Sequence, residues 1–411
     1  MVAHDRGRPA PMELGSARFR AVIGMSLLIM IGFGLIVPSL PQFVRSLGAG
    51  EAGVGVVLFA FSLTRLLGDF VAGLLIDQLG ERLVTAAGAA IVGLSSIAAG
   101  AARTFPQLVV LRGLGGFGSA FFLGGLMAYL VGTTLPAERG RAMGMFQASF
   151  GMGFLIGPAV GGVMIAFTPV NVPLYVYGVI CLLCVPLVLR ALGGEHIPAE
   201  ALTEAPDVGE ETVPASRIPS WSRVRPLLAL SAYRAALAAS ALLFIVSAAQ
   251  QTLLPNFWRD VLHQSKGSSG IPFAITALFG LAVIWHAGSL SDRRGRKFTL
   301  VPAVAVCAVA IGAAGLSHNA IVVVALMAVV GAATGYMRPG PSAMVADLAT
   351  PETRGAAVSG YRIAGDVGAL VGPILAGVMA QYVSFQAAFL AVGAFGVVVF
   401  VIVVLAEETL P

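Results

Sequence analysis

Twelve apolar runs, each about as long as a membrane-spanning helix, determine most of what this chain can fold into. The sequence is 57% hydrophobic and 11% charged, with a mean hydropathy of +0.90, whereas soluble proteins carry about 25% charged residues. Roughly 20 apolar residues cross a bilayer core as a helix, and backbone polar groups there must be satisfied within the segment. The period-two alternation of a membrane barrel is absent. We therefore predict an all-α membrane protein.

The predicted spans form two sets of six, separated by a polar stretch. The first set covers 18–44, 52–76, 83–102, 107–132, 142–167 and 172–192, and the second covers 228–257, 269–290, 298–317, 320–347, 357–382 and 385–405. The stretch between them combines acidic residues, prolines and arginines, which is typical of a flexible loop. We predict an N-terminal six-helix bundle over 1–192, a cytoplasmic interdomain loop over 193–227 and a C-terminal six-helix bundle over 228–411.

The two sets are related by an internal repeat of 215 residues. The segment GLLIDQLGER at 73–82 matches GSLSDRRGRK at 288–297 through a shared Gly, Leu, Asp, Gly and basic residue. Two further motifs keep the same spacing, because PAERG recurs as PETRG and GPAVGG recurs as GPILAG. One spacing shared by three motifs indicates a tandem repeat, so we expect the two bundles to be pseudo-symmetric.

The distribution of basic residues predicts the orientation. If the N-terminus is cytoplasmic, loops on that side hold 17 of the 25 Lys and Arg residues and loops on the far side hold four. Because basic residues accumulate in cytoplasmic loops, we predict a multi-pass protein of the plasma (inner) membrane with both termini cytoplasmic. The two halves then share one orientation, as parallel repeats do.

Several function classes are disfavoured by what the sequence lacks. The net charge of +5 is spread over short loops, which leaves no separate basic domain for nucleic acid. No HExxH motif, paired catalytic carboxylates or GKS/T loop is present, so we expect neither an enzyme nor ATP hydrolysis. Cys181 and Cys184 form a CxxC inside an apolar span, where packing explains them better than a metal or redox site. We expect no cofactor and no bound metal.

Twelve spans in two parallel halves resemble the major facilitator superfamily, and the resemblance covers nearly the whole chain. The loop motif of that family is Gly-x-Leu-x-Asp-x-x-Gly-x-Arg/Lys. It is filled here by Gly73, Leu75, Asp77, Gly80 and Arg82, and again by Gly288, Leu290, Asp292, Gly295 and Lys297. The resemblance implies that Asp77 lies near the start of the eleventh span and Asp292 near the start of the fifth, as parts of a conformational switch. A simple turn with a basic flank is the alternative.

A glycine pattern in the fifth span extends the resemblance. The pattern Gly-x8-Gly-x3-Gly-Pro-x2-Gly-Gly is filled by Gly144, Gly153, Gly157, Pro158, Gly161 and Gly162. In the resembled family it is associated with exporters that exchange substrate for protons, although close helix packing alone also explains it. Arg112 in the fourth span corresponds to an arginine that the family links to proton transfer. An arginine inside a span must pair or face water.

Six ionised side chains lie deep within the predicted spans: Arg65, Asp69, Arg112, Arg338, Arg362 and Asp366. Each costs about 2.5–3.5 kcal/mol at a lipid-exposed helix centre, so we expect them to pair or to line a cavity. Two sets have the spacing Arg-x3-Asp, which allows pairing within one helix.

Depth favours a second interpretation of these charges. Asp69 and Arg362 lie ~12 Å from the cytoplasmic edge, and Arg65 and Asp366 lie ~18 Å from it. The second and eleventh spans are neighbours in the resembled fold. We therefore predict cross-pairs Asp69–Arg362 and Arg65–Asp366 that hold the cytoplasmic side closed, and that protonation of either aspartate weakens them.

The expected cavity wall is weakly polar. Its candidates, each of which packing or lipid contact also explains, are Phe33, Gln147, Phe150, Gln250, Gln251, Asn256 and Tyr336. Such a wall suits lipophilic or mildly amphipathic substrates. We predict a monomeric antiporter, driven by the proton gradient, that exports such compounds in the manner of multidrug efflux proteins. The alternatives are a metabolite or lipid uniporter or symporter of the same fold, and a membrane receptor or scaffold that transports nothing.

Overall fold

A computed structural model describes residues 14–135, 138–192, 221–350 and 353–409, and these are almost entirely helical. The first half contains α1 (Ala17–Ile36), α2 (Leu40–Ser46), α3 (Glu51–Leu79), α4 (Glu81–Gly100), α5 (Phe105–Thr133), α6 (Arg139–Phe167) and α7 (Val172–Ala191). The second half contains α8 (Trp221–Ala229), α9 (Ser231–Asp260), a 3-10 helix (Lys266–Gly270), α10 (Ile271–Arg294), α11 (Arg296–Leu316), α12 (Ala320–Met337), α13 (Pro339–Leu348), α14 (Arg354–Tyr382) and α15 (Phe385–Leu405).

Twelve helical segments within the described ranges are long and apolar enough to cross a membrane, which confirms the predicted all-α membrane architecture. Two predicted spans are interrupted at prolines. The run 18–44 is divided into α1 and α2 around Pro38 and Pro41, and the run 320–347 is divided where Pro339 begins α13. Proline lacks a backbone N–H, so it starts a helix more readily than it continues one. The predicted loop 193–227 is described only from 221, where α8 begins.

The two halves pack in the same pattern. In the first half α1 packs on α6, α3 on α5, and α4 on both α5 and α7. In the second half α9 packs on α14, α10 on α12, and α11 on both α12 and α15. Each half has its own apolar core, with Tyr177 fully buried in the first and Phe257 in the second. The internal repeat of the sequence therefore extends to helix packing.

Glycines form the tight turns at equivalent places in the two halves. Gly80 joins α3 to α4 with φ +80°, and Gly295 joins α10 to α11 with φ +103°. Both values lie in the left-handed region that glycine adopts without steric cost. These are the second glycines of the two loop motifs, so this part of each motif has a structural reason.

The halves meet along α3 with α14 and along α6 with α10 and the 3-10 helix. They approach closely at the end of the bundle that contains Glu51, which we call the Glu51 end. A Cβ on Gly55 would lie 2.9 Å from the carbonyl carbon of Pro373, so only glycine fits there. The other end, where α1 begins and α3 ends, carries most of the basic loop residues and is called the basic end.

Candidate functional site

Two aspartates and two arginines meet where α3 packs against α14. Asp69 interacts electrostatically with Arg65 and with Arg362 of the opposite half. Asp366 likewise interacts with Arg65 and Arg362. Both arginines are exposed and both aspartates are half-buried, although all four lie deep within helices that could cross a membrane. We call these residues the four-charge group.

None of the four residues forms an ion pair within 4.0 Å of another described residue. The structure thus gathers the charges that the sequence singled out, but neither the cross-pairs Asp69–Arg362 and Arg65–Asp366 nor the same-helix pairs are closed in this state.

The Glu51 end is held by a different set of charges, which we call the Glu51 network: Arg45, Glu51, Asn256 and Asp260. Arg45 Nε donates to Glu51 Oε1 at 2.8 Å, and the same guanidinium pairs with Asp260 of the second half. Asn256 Nδ2 donates to both carboxylate oxygens of Glu51, at 2.9 and 3.0 Å. Burial lowers the pKa of Arg45, but Glu51 and Asp260 outweigh it and hold that pKa above its usual range.

Sequence reasoning missed this network. Arg45 was counted only as a loop charge, and Asn256 was expected to line a cavity. Instead Asn256 is fully buried and bonded to Glu51, because the buried carboxylate needs donors. One signal was available, since Arg45 and Asp260 are 215 residues apart and therefore occupy equivalent positions of the repeat.

Every hydrogen bond or ion pair found between described residues of the two halves lies at the Glu51 end. Besides the Glu51 network, the backbone N–H of Ala52 donates to Gln381 Oε1 at 2.9 Å. In the described part of the chain, no comparable contact joins the halves near the basic end. Among the described residues, the polar contacts that join the two halves are therefore concentrated at the Glu51 end.

Arg112 lies in α5 with only 2% of its surface exposed. Its guanidinium carbon lies 4.8 Å from the ring centre of Phe61. Its Nε and Nη1 atoms have no hydrogen-bond partner among the described residues. A cavity of about 10 Å³ adjoins it, which is room for about one water molecule. The cavity is lined by Phe33, Ile36, Val37, Leu40, Leu58, Arg112 and Gln251.

The predicted cavity residues therefore lie in different surroundings, and only some of them line the Arg112 cavity. Phe33 and Gln251 line the Arg112 cavity, whereas Gln250 is buried and bonds Met327 Sδ at 3.7 Å. Tyr336 bonds His286 Nδ1 at 2.7 Å. Two others lie on α6: Phe150 packs on Phe146, and Gln147 is exposed. Arg338, between α12 and α13, is also exposed.

The glycine motif of α6 serves packing on both sides. A Cβ on Gly157 would lie 2.6 Å from the Cα of Gly34 in α1, and Gly153 and Gly161 approach α1 in the same way. A Cβ on Gly162 would instead lie 2.7 Å from the carbonyl oxygen of Gly267 in the second half. Gly144 has nothing within 4 Å of its Cβ position. Pro158 lies within α6.

The two loop motifs differ in their contacts. Asp292 pairs with Arg296 in its own half, and Lys297 Nζ donates to the carbonyl of Val404 at 2.8 Å.

In the first motif, Asp77 is exposed and forms no ion pair with a described residue. Neither aspartate has a described partner at the start of α6 or α14. The first residues of those helices have no described side chains. Gly288 has no described atom within 4 Å of its Cβ position, and Arg82 Nε has no hydrogen-bond partner among the described residues.

A family model described as Major Facilitator Superfamily matches residues 22–320 and 254–410. Multidrug resistance protein 1 of Bacillus subtilis is 28% identical over 151 residues, which is 37% of this chain and 39% of the relative. Quinolone resistance protein NorA of Staphylococcus aureus is 27% identical over 156 residues, which is 38% of this chain and 40% of the relative. The match thus spans about two fifths of the length of these relatives.

Solved structures match along nearly the whole chain. A bacterial homolog of the human lysosomal transporter Spinster, inward-facing and unoccupied, gives a TM-score of 0.77 at 13% identity, covering 95% of this chain and 97% of that one. The nucleoside transporter NupG gives a TM-score of 0.72 at 17% identity, covering 95% of this chain and 100% of that one. At such identities these likenesses show the fold.

Proposed function

The chain belongs to the major facilitator superfamily of membrane transporters, and we propose that it exports small lipophilic or amphipathic compounds in exchange for protons. It is an integral multi-pass membrane protein. Two relatives carry names that refer to drug resistance, which favours a drug-type substrate for this chain. The excess of basic residues in the loops of the basic end favours a cytoplasmic location for that end, in the inner membrane.

The observation that carries this proposal is the contrast between the two ends of the interface. The Glu51 end is joined by Arg45, Glu51 and residues of the second half, whereas the four-charge group, with exposed arginines and half-buried aspartates, forms no ion pair with a described residue. A transporter that works by alternating access opens one end while the other is closed. The state described here is then inward-facing, with the substrate route open towards the basic end.

Asp69 and Asp366 are the proposed proton carriers. Each is half-buried and lies in the electrostatic field of Arg65 and Arg362. When a proton neutralises an aspartate, its attraction to the arginines is lost, and the basic end loses a contact that would close it. Protonation thus favours the inward-facing state, and release of the proton to the cytoplasm favours closure of that end. Such a cycle would couple inward proton flow to export.

The experiment uses the full chain in proteoliposomes with a pH gradient and a panel of lipophilic cations, anions and neutral amphiphiles. We expect movement of at least one compound to be accompanied by opposite proton movement, and Asp69→Asn or Asp366→Asn to abolish that proton movement. Glu407→Gln, which changes an exposed carboxylate beyond the last helix, serves as the control and is expected to leave coupling intact.

Two results would contradict the proposal in different ways. Transport without any proton movement indicates a uniporter, and leaves the aspartates as gate residues only. The absence of transport and of binding for the whole panel favours a receptor or scaffold that keeps the fold.

A further inference from the structure

Arg112 is a buried cation without a counter-charge among the residues that the structure describes. Arginine remains protonated in proteins, and a buried charge is costly unless it is paired and hydrogen-bonded. Nevertheless, its Nε and Nη1 atoms are buried without a hydrogen-bond partner, and no described acidic residue pairs with it. Two nitrogen atoms of one guanidinium, which carry three N–H groups, are thus without an acceptor among the described residues.

The aromatic neighbours of Arg112 do not satisfy these donors. Phe61 lies 4.8 Å from the guanidinium carbon, in a cation–π contact. A ring in this position attracts the charge but accepts no strong hydrogen bond from the N–H groups at the edge of the guanidinium plane. What is missing is an acceptor, and a carboxylate offers two oxygens in a geometry that matches the guanidinium fork.

The net charge of the ionised side chains deep in the helices also favours an anionic ligand. Two arginines and two aspartates of the four-charge group sum to zero, so Arg112 and Arg338 are left in excess. Neither of these arginines forms an ion pair with a described residue. The deep region therefore carries a net charge of +2 when both aspartates are ionised, which repels cations and attracts anions.

The residues that line the cavity beside Arg112 indicate the chemical character of the rest of such an anion. Phe33 and Leu58 give it an apolar wall, and Gln251 contributes an amide group. In this state the cavity has a volume of about 10 Å³, which is room for about one water molecule. Only the oxygen end of a ligand therefore fits beside the guanidinium in this state.

We propose that Arg112 and its cavity bind the carboxylate group of a small amphipathic anion, so that the preferred substrates of this transporter are organic monocarboxylates with an apolar body. This inference rests on the proposed export function and names its substrate class. Arg112 acts as a substrate-binding residue that pairs with the carboxylate, and the excess positive charge of the deep region rejects lipophilic cations.

The test compares three probes that share one naphthalene ring: 1-naphthaleneacetate, 1-naphthaleneacetamide and 1-naphthylmethylamine. Binding to the full chain in lipid nanodiscs is measured by equilibrium dialysis. We expect the carboxylate to bind about tenfold more tightly than the amide, since the amide has no negative charge and only one acceptor oxygen for the guanidinium. The amine is expected to bind most weakly. Equal binding of acetate and acetamide overturns the inference.

Variants identify the residue responsible. Arg112→Gln is expected to remove the preference for the carboxylate, and Arg112→Lys to retain part of it because the charge remains. Arg103→Gln removes an exposed arginine just before the same helix and is expected to leave the preference unchanged. An unchanged preference in Arg112→Gln overturns the assignment. If Arg112→Gln does not fold, Arg112→Lys and the comparison of probes on the unaltered chain still decide.

Transport measurements separate this inference from the proposed function. Proton-coupled export of the amide or the amine at the same rate as the carboxylate sustains export but contradicts the anion site. Preferential binding of the carboxylate with no transport sustains the site but contradicts proton-coupled export.

Discussion

Arg45 and Asp260 pair across the halves at the Glu51 end, whereas Asp69 and Arg362 face each other across the same interface without an ion pair. The residue types are the same, but their surroundings differ. Glu51 is 5% exposed and is held by donors from both halves, while Arg65 and Arg362 are exposed. Charges at both ends are thus suited to join the halves, and in this state only one set does so.

The largest effect is expected from Glu51→Gln, which removes the charge that holds Arg45 and Asn256. Truncating one partner of a buried charge network costs about 2–5 kcal/mol, so the Glu51 end should open more often. Accessibility is measured at Val37→Cys, a buried site beside the Arg112 cavity, with the three native cysteines replaced by alanine. Labelling by a membrane-impermeant maleimide added at the Glu51 end should rise by more than about tenfold.

The matched control for that experiment is Glu407→Gln, which should leave labelling unchanged. Equal labelling of the Glu51→Gln and unaltered chains would mean that the Glu51 network does not hold this end closed.

A smaller effect is expected from Gly162→Ala. The new Cβ would lie 2.7 Å from the carbonyl oxygen of Gly267 and 2.8 Å from the amide nitrogen of Gly270, both in the other half. Overpacking of this kind costs about 1–3 kcal/mol, and it acts only while the Glu51 end is closed. Labelling of Val37→Cys should therefore increase. Gly144→Ala belongs to the same motif but meets nothing within 4 Å, so it should have no effect.

If both glycine variants change labelling equally, the motif acts through something other than this contact between the halves.

The smallest effect is expected from a double-mutant cycle on Asp69→Asn and Arg362→Gln. These charges are unpaired in the state described, so their interaction energy arises only when the basic end closes. We expect a coupling of about 0.5–1.5 kcal/mol, measured as non-additive decreases in Val37→Cys labelling. A larger coupling between Arg65→Gln and Asp69→Asn would instead support pairing within α3.

The sequence was sufficient for the helices and for the proximity of the four-charge group across the halves. Apolar length and the positive-φ glycines determine where helices run and turn, and the rise per residue determines the depth of each charge. This equal depth, together with the resemblance that implies neighbouring second and eleventh spans, predicts that Asp69 and Arg362 lie near each other. The interruptions at prolines were not predicted: Pro41 lies in the first turn of α2, and Pro339 begins α13, each inside an apolar run.

The Glu51 network and the isolation of Arg112 could not be foreseen in the same way. Glu51 becomes buried only because α2, α3 and α9 converge, which is a property of the packed halves. The lack of a partner for Arg112 is likewise a property of its surroundings in space. A sequence shows that a charge is present within a span, but it does not show which neighbours remain unpaired.

The pair Arg45–Asp260 also limits how the two halves can be combined. These residues occupy equivalent positions of the repeat, so near the pseudo-twofold axis each half presents its own version of one position to the other. Two copies of the first half would bring arginine against arginine, and two copies of the second half would bring aspartate against aspartate. Like charges so close repel. If the halves were expressed as separate chains, the first half would therefore pair with the second half in preference to forming either homodimer. The opposite charges at this one repeat position would determine which halves associate.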